Sequence, residues 1–236
     1  MQKYISVLML IASCSIKKIA AILAIMFTGE MAAYMIIGRN AMYLDSALGC
    51  IRIPTGAMIF GAYAGIFFVL TQFGKGRGAD PTITLDRLRV SRSSVFAMQI
   101  VYNTCMFTIF WGVQAAIYLL MIKLYCTANP DAVGAQSVFM AFVKNTLPHS
   151  FLPMAHPVVL IRNIVLVVMM GVVSSCASFE KKYSKQFPAL SAAIIFAAAF
   201  PADINHWRPA FFFLAMGMTG AVLVSLEQKK IFTKGD

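Results

Sequence analysis

This chain reads as an all-α polytopic membrane protein, with six transmembrane helices and an N-terminal interfacial helix in one domain over residues 1–236. Composition is the first reason. The chain is 60% hydrophobic and 12% charged, where a soluble domain is about 45–50% apolar and about 25% charged. A water-soluble globule of this size lacks the interior to hide that much apolar surface. Second, apolar runs of the length that crosses a hydrocarbon core of about 30 Å recur along the chain. Third, the 20 Lys and Arg outnumber the 9 Asp and Glu and gather in alternate linkers between those runs. A soluble enzyme, a coiled coil and a disordered chain are excluded.

The elements follow in order. Tyr4 to Ser15 forms the interfacial helix, behind Lys3. Its Ile11-Ala12-Ser13-Cys14 also has the look of a bacterial lipoprotein cleavage box with Cys14 lipidated. The full-length apolar span that follows Lys17-Lys18 favours an uncleaved helix. The first span runs over Ile19–Gly38, the second over Ile53–Phe73, the third over Val95–Ile122 and the fourth over Pro157–Ala177. The fifth, Phe187–Ile204, is short, and the sixth covers Pro209–Leu226. Gly61 and Gly65, with Ala57 a turn earlier, and Gly217 with Gly220 suit close helix packing. In the loop between spans three and four, Ser137 can cap a helix carrying Val138, Phe139, Phe142, Val143 and Leu147. That helix would lie on the outer membrane surface as a lid, ended by Pro148 and Pro153. His206-Trp207-Arg208-Pro209 is an interfacial anchor.

Charge sets the orientation. The N-terminus, the 74–94 and 178–186 loops and the C-terminus hold 14 of the 20 basic residues. The positive-inside rule then puts both termini in the cytoplasm of a bacterial plasma membrane. The excess of +11 marks topology and anionic lipid as a partner, and leaves no role for nucleic acid.

Catalysis has little support. No membrane-embedded His accompanies a Gly-x-Ser motif, no H-E-x-x-H occurs, and the nine acids are spread singly. The five Cys form no CxxC pair and His149, His156 and His206 lack ligand spacing, so no metal is expected. Gly74-Lys75-Gly76-Arg77-Gly78 lacks the order of a phosphate-binding loop. An enzyme is not expected, and no cofactor is bound by the chain itself.

Residues 82–94 are the most informative. Pro81 marks an entry, Thr84 can cap a short helix and Asp86 suits its first turn. Leu85 and Leu88 share one face. The product is a short cytoplasmic helix between spans two and three, either resting on anionic lipid or docking a partner. Together with Val95-Phe96, Gln99, Tyr102-Asn103 and Trp111-Gly112-Val113-Gln114, the stretch Thr84 to Ser91 resembles the permease subunits of bacterial ABC exporters of the ABC-2 type, including a group from gut Clostridia. That resemblance implies a segment, Leu85, Asp86, Arg87, Leu88 and Arg89, that couples to a separate ABC ATPase subunit. It also implies a homodimer or a heterodimer with a second permease, and ATP used only through the partner. The tight turn at 204–208 departs from the family, where many members carry two re-entrant half-helices.

Polar residues inside the spans complete the reading. Glu30 sits two thirds along the first span, where an ionisable group is costly and marks function by default. It can pair with Arg162, or bond as a neutral carboxyl to Asn103, Gln114 or Asn163, either as glue between helices or as a group that meets substrate or proton. Asn103 and Gln114 are 11 residues apart, close to three turns, and share a face with the bundle interior. Glu30, Asn103 and Gln114 are the translocation-path candidates. The expected function is the membrane-spanning permease of an ATP-driven exporter. Its alternatives are a non-transporting scaffold or immunity protein, or an ion-coupled carrier using Glu30.

Overall fold

In lipid a backbone must satisfy its own hydrogen bonds, and an uninterrupted helix does so within one segment. The computed structural model describes residues 2–72, 92–130, 135–151 and 157–180. Among these residues the chain is helical throughout, without a strand. α1 spans Gln2–Ala33 and continues into a π-turn, Tyr34–Gly38; α2 is Leu44–Cys50, α3 Arg52–Thr71 and α4 Arg92–Ala128. α5 covers Ala135–Lys144, α6 Thr146–Phe151 and α7 Pro157–Glu180. Four helices are long and apolar enough to cross a membrane, namely α1 with its π-turn, α3, α4 and α7. The fifth and sixth spans, the His206–Pro209 anchor, His156, the Gly74–Gly78 turn and residues Leu85, Asp86, Arg87, Leu88 and Arg89 lie outside the described residues.

The expected interfacial helix Tyr4–Ser15 is not a separate element. α1 passes through Lys17 and Lys18 unbroken. Both lysines are exposed, whereas Ile11, Ser15 and Ile19 are buried at intervals of four. The inward stripe therefore continues beneath the charges, and no proline interrupts it. The other three spans begin and end within a few residues of their expected limits, except that α4 runs on to Ala128.

Pairwise contacts fix the helix directions. Ser15 meets Tyr102 and Glu30 meets Gln114, so α1 and α4 run parallel. Gly65 approaches Ile22 and Gly29 approaches Met58, so α3 runs against α1. Asn103 bonds Ser174 while Gly171 abuts Thr104, so α7 runs against α4. A Cβ at Gly171 would lie 2.8 Å from the Thr104 backbone nitrogen, which explains why glycine stands there. By contrast, Gly61 of the expected Gly-x-x-x-Gly pair approaches nothing within 4 Å among the described residues.

Helix lengths differ. At 1.5 Å per residue the 20 residues of α3 span about 30 Å. The 32 of α1 and 37 of α4 reach about 48 and 55 Å. Counted from the Gly65–Ile22 contact, α3 ends level with Ile16, so the N-terminal ends of α1 and α4 project together beyond it. At the opposite end α2 and α5 pack on each other. Asn145 donates to the Asp45 carboxylate at 2.8 Å. Lys144 stands 4.0 Å from the same group, a pair exposed enough to add little.

The segment between α4 and α7 departs from the single lid helix expected there. Its helix stops at Lys144 and a second, α6, follows after Asn145. Phe139 and Val143 of α5 are exposed, as a surface-lying helix requires. Leu147, His149, Ser150 and Phe151 of α6 are buried. α6 thus turns inward and plugs that end of the bundle.

Candidate functional site

Two layers of buried polar side chains cross the four-helix core. The layer nearer the N-terminus of α4 holds Gln99 and Asn103, each with no exposed surface. Asn103 Nδ2 donates to Ser174 Oγ at 2.9 Å and Ser175 Oγ at 3.0 Å. Both serines donate in turn to the Gly171 carbonyl, so α7 presents two oxygens to one amide. Ser15 Oγ and Tyr102 Oη share a hydrogen bond of 2.6 Å beside them.

Eleven residues further along α4, about 16 Å, lies the second layer. Gln114 Nε2 donates to Glu30 Oε2 at 2.8 Å, and both residues are fully buried. Tyr118, one turn on from Gln114, stands next to Thr55 and Gln114. Its ring packs 6.1 Å from that of Phe151. Trp111 Nε1 donates to the Phe151 carbonyl at 3.0 Å, and Asn163 Nδ2 to the Ser150 carbonyl at 2.6 Å. These two bonds hold α6 in place. Arg162, 1% exposed, donates from Nε and Nη2 to Asn163 Oδ1 at 3.2 and 3.0 Å.

Between the layers Met106, Phe107, Phe110, Tyr63 and Ile66 form an apolar belt, with Tyr63 and Phe107 at a centroid separation of 5.7 Å. This apolar belt separates the two polar layers.

Of the two partnerships open to Glu30, the structure makes the amide one. No carboxylate lies within 4.0 Å of Arg162 among the described residues. Glu30, Asn103 and Gln114 are all buried, but Asn103 belongs to the first layer and the other two to the second. Tyr118, Asn163, Arg162 and the Ser174-Ser175 pair join them; a polar pair inside an apolar run was the available signal for the serines. Several buried atoms meet no partner among the described residues: Glu30 Oε1, both amide atoms of Gln99, Asn103 Oδ1, Gln114 Oε1 and Arg162 Nη1. Each such atom costs about 1–3 kcal/mol, so each calls for an explanation.

The arrangement is a bundle of helices long and apolar enough to cross a membrane, with polar side chains buried in its interior. No family model, curated protein or solved structure matches this chain.

Proposed function

We propose that this chain is the membrane-spanning permease subunit of an ATP-driven exporter of the ABC-2 type, working by alternating access in the bacterial plasma membrane with both termini in the cytoplasm. One observation carries the transport reading: two layers of buried, incompletely bonded polar groups, separated by an apolar belt and closed at one end by α6. Polar side chains also join helices in lipid, but buried groups with atoms left unbonded suit a substrate passing from one layer to the other. The resemblance of Thr84–Gln114 to ABC-2 permeases supplies the energy source, an ATPase partner docking on residues 82–94.

Purification of the full chain from its native membrane under mild detergent tests this. An ABC ATPase is expected to co-purify, and Arg87→Glu with Arg89→Glu to release it. A chain that brings down no ATPase, with the double variant phenotypically silent, refutes the exporter and leaves the scaffold or immunity reading. An ion-coupled carrier is favoured by one observation, the single hydrogen bond to the buried Glu30 carboxyl. In that case Glu30→Gln abolishes pH-dependent transport.

A further inference from the structure

Arg162 is the least explained residue of the bundle. Its side chain is 1% exposed and lies one and a half turns into α7. A guanidinium carries five N–H donors and stays charged. Here Nε and Nη2 both spend themselves on one neutral oxygen, Asn163 Oδ1, and Nη1 meets no partner among the described residues. Glu30 is engaged by Gln114, and Asp45 by Asn145 at the bundle end. An unpaired charge inside a membrane is costly and is kept for use.

A structural role fits poorly. Among the described residues the hydrogen bonds of Arg162 go to the next residue of its own helix and tie no two elements together. The bond from Asn163 to the Ser150 carbonyl is the one that joins α7 to α6, and it needs no positive charge. What the free edge suits is an oxyanion, since carboxylate and phosphate accept parallel N–H bonds from a guanidinium. Asn163, the partner of Arg162, is tied to the Ser150 carbonyl of α6, so a displacement of α6 would reach this site.

We propose that Arg162 is the recognition point for an oxyanion, a carboxylate or phosphate group, on the transported substrate. The proposal rests on the permease reading and narrows its cargo to acidic molecules. It is tested on the full chain in detergent, by following the unfolding midpoint against sodium acetate and inorganic phosphate with sodium chloride holding ionic strength constant. At least one oxyanion is expected to raise the midpoint saturably. Half-saturation should move up at least tenfold in Arg162→Gln and recover in part in Arg162→Lys. No saturable shift in the wild type overturns the proposal, and so does an equal shift in Arg162→Gln. If that variant does not fold, Arg162→Lys becomes the comparison, and an unchanged half-saturation there overturns it equally. A lipid headgroup offers the same chemistry. Phosphatidylcholine vesicles with and without phosphatidylglycerol separate the two sources: stabilisation by phosphatidylglycerol that free phosphate does not compete away overturns the substrate assignment. The readout needs no ATPase, so its failure leaves the exporter reading standing, and loss of the ATPase partner leaves this readout intact.

Discussion

Glu30 and Arg162, an acid and a base, lie in one layer of the bundle, yet each is held by a neutral amide, Gln114 for the acid and Asn163 for the base. Because Gln114 Nε2 is the one hydrogen-bond donor to the Glu30 carboxyl among the described residues, the two residues are energetically coupled. We predict that Gln114→Leu, which strips the carboxyl of its donor, lowers stability by about 1–3 kcal/mol. Adding Glu30→Leu should recover most of that loss, since removing both partners leaves no orphaned polar group. Thermal unfolding of the single and double variants in detergent reads the coupling, and additive losses would show that the pair does not interact. Glu30, Asn103 and Gln114 were legible in the sequence because a polar residue in an apolar run has nowhere to go but inward. The choice of partner was not. Charge attraction points Glu30 toward Arg162, whereas the register between two parallel helices delivers it to Gln114.

The long helices were legible from their apolar runs, but two breaks were misplaced, and both misplacements have one cause. Lys17-Lys18 reads as a boundary in a linear sequence; on a helix two adjacent lysines occupy only the outward arc, and Ile11, Ser15 and Ile19 keep the inward stripe intact. Asn145 reads as one more polar position in an amphipathic run, yet its side chain leaves the run to bind Asp45 and Ala141, and the chain turns there into α6. Among the ties that hold α6 within the bundle are the bonds from Trp111 to the Phe151 carbonyl and from Asn163 to the Ser150 carbonyl, and the Tyr118–Phe151 ring contact. Removing those ties lowers the cost of opening the segment locally. In a background with the five native cysteines replaced, Ser150→Cys is expected to react slowly with a membrane-impermeant maleimide. Adding Trp111→Phe and Asn163→Leu should speed the reaction at least tenfold. Equal rates in both backgrounds would mean that those bonds do not hold the plug.

The four crossings alternate in direction, so the molecule has two ends of different chemistry. The starts of α1 and α4 share one end with the finishes of α3 and α7, and the π-turn, α2, α5 and α6 occupy the other. Of the linkers at the first end, residues 73–91 alone carry Lys75, Arg77, Arg87 and Arg89. Positive charge close to a span resists translocation, so these four residues, with Lys17 and Lys18 on α1, act in the same sense on the same end. They should therefore place it in the cytoplasm. Alkaline phosphatase fused after Gly134 is expected to be active outside the membrane and inactive when fused after Gly78, with a fluorescent-protein fusion giving the reverse. The charge itself is tested by replacing Lys75, Arg77, Arg87 and Arg89 with Gln. If they set the orientation, fusions after Gly134 split into active and inactive populations. If the other basic residues at that end, Lys17 and Lys18 among them, suffice, the pattern is unchanged and only ATPase capture is lost. An active phosphatase after Gly78 in the unaltered chain would invert the whole assignment, moving the 82–94 segment away from any cytoplasmic ATPase and taking the exporter mechanism with it.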